Sequence, residues 1–205
     1  MPRISLAAAV AEVRKRDPFL NRLVARIGPI RYRKRHPDGH FGTLVRAIVF
    51  QQLAGSAARA IFDRVVAAAG GSLTPQSLIA VSDKDLRAAG LSQNKLLSLR
   101  DLSAKVFDGS VDLSGSAKQS DEEIVAKLVT VRGIGTWTAE MYLMFELRRL
   151  DVWPVGDLAV RQGYAIGWDL ETPPKPKELL ALGEPFRPYR SVVALYCWEA
   201  VHLSR

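Results

Sequence analysis

Apolar positions recur along this chain at helical spacing nearly everywhere. Leu44, Val45, Ile48 and Val49 fall on one helical face, Ile61, Phe62 and Val65 on another, and Leu96, Leu99, Leu102 and Val106 on a third. Ile124, Leu128 and Val131 continue the pattern, and Met141, Leu143, Met144 and Leu147 mark a largely buried helix. Period-two runs of β-branched residues are missing, so the pattern predicts an all-α fold. Breaks fall at Gly28-Pro29, Pro37-Asp38-Gly39, Gly70-Gly71, Gly90, Gly109, Gly133-Ile134-Gly135, Pro154, Pro173-Pro174 and Pro188. They divide the chain into about ten helices of modest length joined by short turns. Ser82 followed by Asp85, and Ser120 followed by Glu123, read as helix N-caps with an acidic third position. Leu6 to Ala11 is apolar but short, and Glu12-Val13-Arg14-Lys15-Arg16 follows it, so it reads as the start of a helix and not as a signal peptide.

With 205 residues, the chain is long enough for one compact domain or two small lobes sharing a core. Apolar residues make up 48% and charged residues 24%, which excludes wholesale disorder. No apolar run reaches the ~20 residues of a membrane span. Cys197 is the one cysteine, so neither an intrachain disulfide nor a cysteine-ligated cluster can form, and a reducing cytoplasm is the expected setting. His36, His40 and His202 lack ligand spacing. The net charge of +8 points to a polyanionic partner, most often nucleic acid. Arg31-Tyr32-Arg33-Lys34-Arg35 forms a basic run, which fits either a solvated loop or a DNA contact.

The most specific segment runs from Leu128 to Ala139: Leu-Val-Thr-Val-Arg-Gly-Ile-Gly-Thr-Trp-Thr-Ala. A helix ends, turns on two glycines and a second helix begins. Glycines permit positive φ and close approach of another backbone. The second helix offers free N–H groups and the positive end of its dipole, where a phosphate can sit. This segment resembles the helix–hairpin–helix of the DNA base-excision glycosylase superfamily. Trp153-Pro154-Val155-Gly156-Asp157-Leu158-Ala159-Val160 resembles that superfamily's Gly/Pro-rich loop and essential aspartate. Ala47 to Leu53, Leu86 to Lys95 and Phe186-Arg187-Pro188-Tyr189-Arg190-Ser191 resemble its alkylation-repair branch, nearest the DNA-3-methyladenine glycosylase II group. The likeness covers roughly residues 17 to 203, with every landmark in order. It implies one domain over 1–205, with two helical lobes around a central cleft bordered by the hairpin and Asp157. The extra N-terminal α/β domain of some members is not expected in a chain of this length. Arg132 stands where the hairpin usually has proline, which implies a softer turn and a side chain able to add a phosphate contact.

Cleaving an N-glycosidic bond builds positive charge on the sugar. A nearby carboxylate stabilises that charge or activates a water against it. Asp157 fits this chemistry, and it equally fits the N-cap of the helical stretch that follows. The two roles are compatible. By the same resemblance, enzymes that also cut the backbone use a lysine amine as a Schiff-base nucleophile. Trp137 occupies that position here, which implies a monofunctional enzyme with water as nucleophile.

A lesion within a duplex must be flipped out, at a cost of a few kcal/mol. Trp137 and Trp198 match the tryptophans that hold the flipped base, where aromatic faces attract an alkylated, cationic ring. Each also fits plain core packing. The resemblance places the pocket's tyrosine positions at Met141 and Leu158; Tyr142 and Tyr164 are candidates to compensate. Gln52 matches the wedge that fills the vacated gap, with Leu53 as the alternative. Gly133, Gly135 and Trp137 would donate backbone N–H groups to a phosphate, and carbonyls of Val129, Val131 and Ile134 would hold Na+ or K+. The expected partner is double-stranded DNA with alkylated bases, engaged by a cytoplasmic monomer without a membrane. The rival reading is a lesion-binding protein that kept the hairpin and lost the chemistry. Further rivals are a glycosylase/lyase, disfavoured by the missing lysine, and a basic helical scaffold or RNA-binding protein.

Overall fold

The computed structural model describes residues 4–32 and 34–204. Met1-Pro2-Arg3 and Arg33 of the basic run lie outside the described residues. Among those described, there are twelve α-helices and no strand. The helices are α1 (Leu6–Arg16), α2 (Pro18–Ile27), α3 (Gly39–Phe50), α4 (Gly55–Ala68), α5 (Pro75–Ala80), α6 (Asp83–Ala88), α7 (Gln93–Phe107), α8 (Asp121–Leu128), α9 (Thr136–Met141), α10 (Leu158–Gly167), α11 (Pro176–Leu182) and α12 (Arg190–Leu203). The count exceeds the ten expected from the breaks. The stretch between Gly71 and Gly90 holds two six-residue helices, each with its own start signal: Thr74 before Pro75 for α5, and Ser82 for α6. Ser82 and Ser120 both cap as expected, and Ser120 with Glu123 completes a reciprocal capping box. The long helix expected through Leu147 stops earlier. After α9 the backbone widens into a π-helical turn over Tyr142–Glu146.

The chain forms two compact units, residues 1–33 with 143–205, and residues 34–142. In the first, α12 packs against α10, α2 and α1. Its core includes Leu20, Leu23, Val24, Val192, Val193 and Tyr196, each such side chain contributing roughly 2 kcal/mol by burial. The α10–α12 crossing brings backbone against backbone. A Cβ at Gly163 would lie 1.8 Å from the Cys197 carbonyl oxygen. In the second unit, α7 packs against α5, α3 and α6 and buries Leu96, Leu99 and Leu102. Arg100 ties the α5–α6 corner to it, donating to the carbonyls of Leu78 at 2.6 Å and Val81 at 2.5 Å. The helical face read from the sequence is therefore the face that builds this core.

Candidate functional site

Asp157 lies in the first unit. It is the N-cap of α10, with Oδ1 accepting the Val160 N–H at 2.9 Å. The same oxygen accepts the indole N–H of Trp198 at 3.2 Å. The turn before it is closed by the Asp157 N–H on the Pro154 carbonyl at 2.9 Å. Trp153 anchors that turn: it is buried, its indole N–H donates to the Leu179 carbonyl at 2.8 Å, and its ring lies against Gly183. Residues further upstream are clamped by the start of α12. Ser191 binds the Leu150 carbonyl through its N–H at 2.9 Å and accepts the Val152 N–H at 2.8 Å. Arg190 grips Asp151 with Nε on Oδ1 at 2.8 Å and Nη2 on Oδ2 at 3.1 Å. The Phe186 to Ser191 motif thus holds the segment that carries Asp157. This is a bidentate pair on a nearly buried guanidinium, the stronger kind of ion pair.

Of the two sequence expectations for Trp198, the structure sets aside plain core packing. The residue is half-buried, so it is not plain core, and its N–H is committed to the carboxylate. Its ring packs against Phe145 with centroids 5.6 Å apart and planes 30° from parallel. Phe145 is exposed within the π-helical turn, and the sequence offers no signal for it. Next to Trp198, burial and then the negative charge of Asp157 push the Cys197 thiol up. Leu158 is 57% exposed immediately after the carboxylate, whereas Tyr164 is buried and stacked flat on Trp168 at 4.1 Å. Tyr164 therefore offers no compensating face. Burial is also the main cause that holds its hydroxyl proton on, followed by Cys197 and Asp17.

The hairpin lies in the second unit. Val131 and Ile134 are buried and fix the turn, with the Ile134 N–H on the Val131 carbonyl at 3.1 Å. Gly133 has φ +78, and a Cβ there would also meet Ser98 Oγ at 2.5 Å. Gly135 is different. Its φ of −95 suits any residue, and a Cβ would meet nothing within 4 Å. Its place in the turn has no internal requirement. Trp137 is 50% exposed on α9, which excludes core packing as its role, while Thr138 and Ala139 face inward. Met141 is half-buried, and Tyr142 is buried with its hydroxyl 3.5 Å from Ser116 Oγ, so Tyr142 does not compensate either.

The two adjacent amides after α3 have separate roles. Gln51 Nε2 donates to the Gly133 carbonyl at 2.9 Å and so ties this loop to the hairpin. Gln52 stands exposed at the tip with φ +55, and Leu53 is exposed beside it. Lys95 donates to the Val49 carbonyl at 2.6 Å at the end of α3, and burial lowers its ammonium pKa. Near the cation site expected at Val129, Val131 and Ile134, the neighbouring carbonyls of Thr130 and Gly133 accept bonds from Lys105 and Gln51, and the Val131 carbonyl accepts the Ile134 N–H. Arg31, Lys34 and Arg35 are exposed, and the Arg148 guanidinium lies 5.3 Å from the centre of the Tyr32 ring. An open hollow of about 590 Å³ between His40, Phe41, Val106 and Val111 contains none of the expected site residues.

Known proteins bear on this arrangement. The chain is 33% identical over 204 residues to DNA-3-methyladenine glycosylase 1 of Schizosaccharomyces pombe, covering 98% of this chain and 90% of that one. Its fold matches the structure of S. pombe 3-methyladenine DNA glycosylase (Mag1) in complex with abasic DNA at a TM-score of 0.81, with 93% of this chain and 94% of that chain covered. It also matches a DNA-3-methyladenine glycosidase from Bacillus halodurans at a TM-score of 0.86 and 36% identity, covering 94% of this chain and 88% of that one. Residues 45–188, from within α3 through the loop before α12, match the family described as HhH-GPD superfamily base excision DNA repair protein. Hairpin and capped aspartate both fall inside that span, and the chain belongs to the HhH-GPD superfamily of base excision DNA repair proteins.

Proposed function

We propose that this protein removes alkylated bases of the 3-methyladenine and 7-methylguanine class from double-stranded DNA by hydrolysing the N-glycosidic bond. The observation that supports this most is Asp157, a carboxylate held by a helix N-terminus and an indole N–H in the middle of the Trp153 to Val160 motif. The relatives named above carry 3-methyladenine in their names. In this reading Asp157 stabilises the positive charge that grows on the sugar, or takes a proton from the attacking water. Trp198 orients the carboxylate, and together with Trp137, Met141 and Leu158 it borders the extruded base. Gln52, exposed at its loop tip, enters the gap, with Leu53 next to it. The N–H groups of Gly133, Gly135 and Trp137 hold a phosphate, and the open space at Gly135 leaves room for a strand to come close. Carbonyls of Val129, Val131 and Ile134 would hold a Na+ or K+ that lends positive charge to the same phosphate. Trp137 supplies no amine for a Schiff base, so the reaction ends at an abasic site with the strand intact. The protein acts as a cytoplasmic monomer, on the nucleoid in a bacterial cell.

The test is base release from DNA treated with a methylating agent, wild type beside Asp157→Asn. Chromatography identifies the freed base, and gels run before and after alkali report strand cutting. Methylated purines released by the wild type alone, with breaks appearing only after alkali, are the expected result. Damaged-DNA binding without release from either protein would sink the enzyme reading and favour a lesion-binding protein.

A further inference from the structure

One face of α7 is polar and serves the hairpin. Asn94, Ser98, Asp101 and Lys105 follow one another at three- and four-residue steps, so they form a stripe apart from the Leu96, Leu99 and Leu102 core face. Every member of the stripe meets the turn. Ser98 is buried directly against Gly133, with no room between them for a Cβ. Asp101 Oδ2 accepts the backbone N–H of Arg132 at 2.7 Å and the Lys105 ammonium at 2.9 Å. Lys105 also donates to the Thr130 carbonyl. The Arg132 guanidinium reaches Asn94 Oδ1 at 3.4 Å.

These contacts supply partners to backbone groups that no helix or strand satisfies. The bond at Arg132 is the pivotal one. It lies at the start of the Arg132-Gly133 turn, it joins a carboxylate to a backbone N–H, and a neighbouring ammonium holds that carboxylate in place. Burial raises the Asp101 carboxyl pKa, but the Arg132 N–H and Lys105 outweigh this and leave it below its ordinary value. A proline at this position would stiffen the turn through its ring and would have no N–H to give. With arginine there, stiffness must come from outside the turn, and Asp101 provides it. The turn expected from the sequence to be softer thus has an external tie at the Arg132 N–H.

We propose that Asp101 is a positioning residue for strand binding: by holding the Arg132 N–H, it sets the hairpin in the conformation that grips the DNA backbone. This rests on the reading that the hairpin holds DNA. The experiment measures fluorescence anisotropy of a duplex carrying one tetrahydrofuran abasic-site analogue. The proteins are wild type, Asp101→Ala, Asp101→Asn, Arg132→Pro and the double variant Asp101→Ala with Arg132→Pro, each with its melting temperature. Asp101→Ala is expected to bind about tenfold more weakly while melting within a few degrees of wild type. Asp101→Asn keeps an acceptor but loses the ion pair, so its affinity falls by about threefold; this variant carries the test if the alanine variant does not fold. In the proline background, loss of Asp101 should change affinity by less than about twofold, because the ring replaces the bond. Wild-type affinity in both single Asp101 variants would overturn the proposal, as would the same tenfold loss in the proline background. Absence of binding by the wild type itself would instead sink the reading of the hairpin as a DNA-holding element.

Discussion

Asp17 and Asp157 sit in the same local frame. Both cap a helix of the first unit through the N–H three residues on, Leu20 at 2.7 Å in one case and Val160 at 2.9 Å in the other. Both accept an indole N–H at 3.2 Å from far along the chain, Trp168 for Asp17 and Trp198 for Asp157. Beyond that they diverge. The donors to Asp17 take separate oxygens, and Trp168 is buried flat against Tyr164. Val160 and Trp198 share Oδ1 of Asp157, the exposed Leu158 follows it, and the half-buried Trp198 stacks on the exposed Phe145. An indole and a helix N-terminus are thus a general way to hold a carboxylate still. Chemistry requires in addition that a substrate reach the carboxylate; both are half-buried, and the proposed function assigns that role to Asp157, which the exposed Leu158 follows.

The comparison can be broken most sharply with an isostere. Asp157→Asn retains an acceptor for Val160 and Trp198 and removes the charge, so base release should fall by roughly a thousandfold with little change in melting temperature. Asp17→Asn makes the same chemical change and should leave base release unaltered. Equal losses at the two sites would mean that the effect is structural.

Gly163→Ala attacks the crossing that brings α12, and with it Trp198, to the start of α10. Since the added methyl meets backbone and not a movable side chain, a loss of about 3 kcal/mol is expected in denaturant melts. Recovery of full stability in that variant would show that the helices can separate without cost.

Removing each indole N–H sharpens the contrast further. Trp198→Phe should slow base release about tenfold at nearly unchanged stability, whereas Trp168→Phe should cost about 1 kcal/mol of stability and spare activity.

The smallest effect concerns pH. Tyr164 has its pKa raised by burial from an ordinary 10.0, so its contribution to stability is intact below pH 10 and is lost as pH rises above it. Melting temperature should be flat up to about pH 9 and then decline, and Tyr164→Phe should reduce that decline. An unchanged slope in the variant would assign the alkaline loss to other groups.

What the sequence by itself determined was local. The all-α class, the caps at Ser82, Ser120 and Asp157, and the turn at Gly133 depend on residues within a few positions of one another, where backbone geometry leaves few choices. Family membership was legible for a related reason, since its motifs are short and contiguous. The tertiary structure decided everything that needed distant partners. Trp198 reaches an oxygen 41 positions back, and Gln51 reaches the Gly133 carbonyl 82 positions on. It also decided that Tyr142 and Tyr164 turn inward, that Phe145 turns outward, and that of the hairpin's two glycines only Gly133 is required by φ and packing. The α7 stripe falls between the two classes. Its spacing is visible in the sequence, but a polar helical face reads as solvated until a turn is found resting on it. Propensity and capping act along the chain, whereas which side chain meets which backbone group follows from how the helices pack.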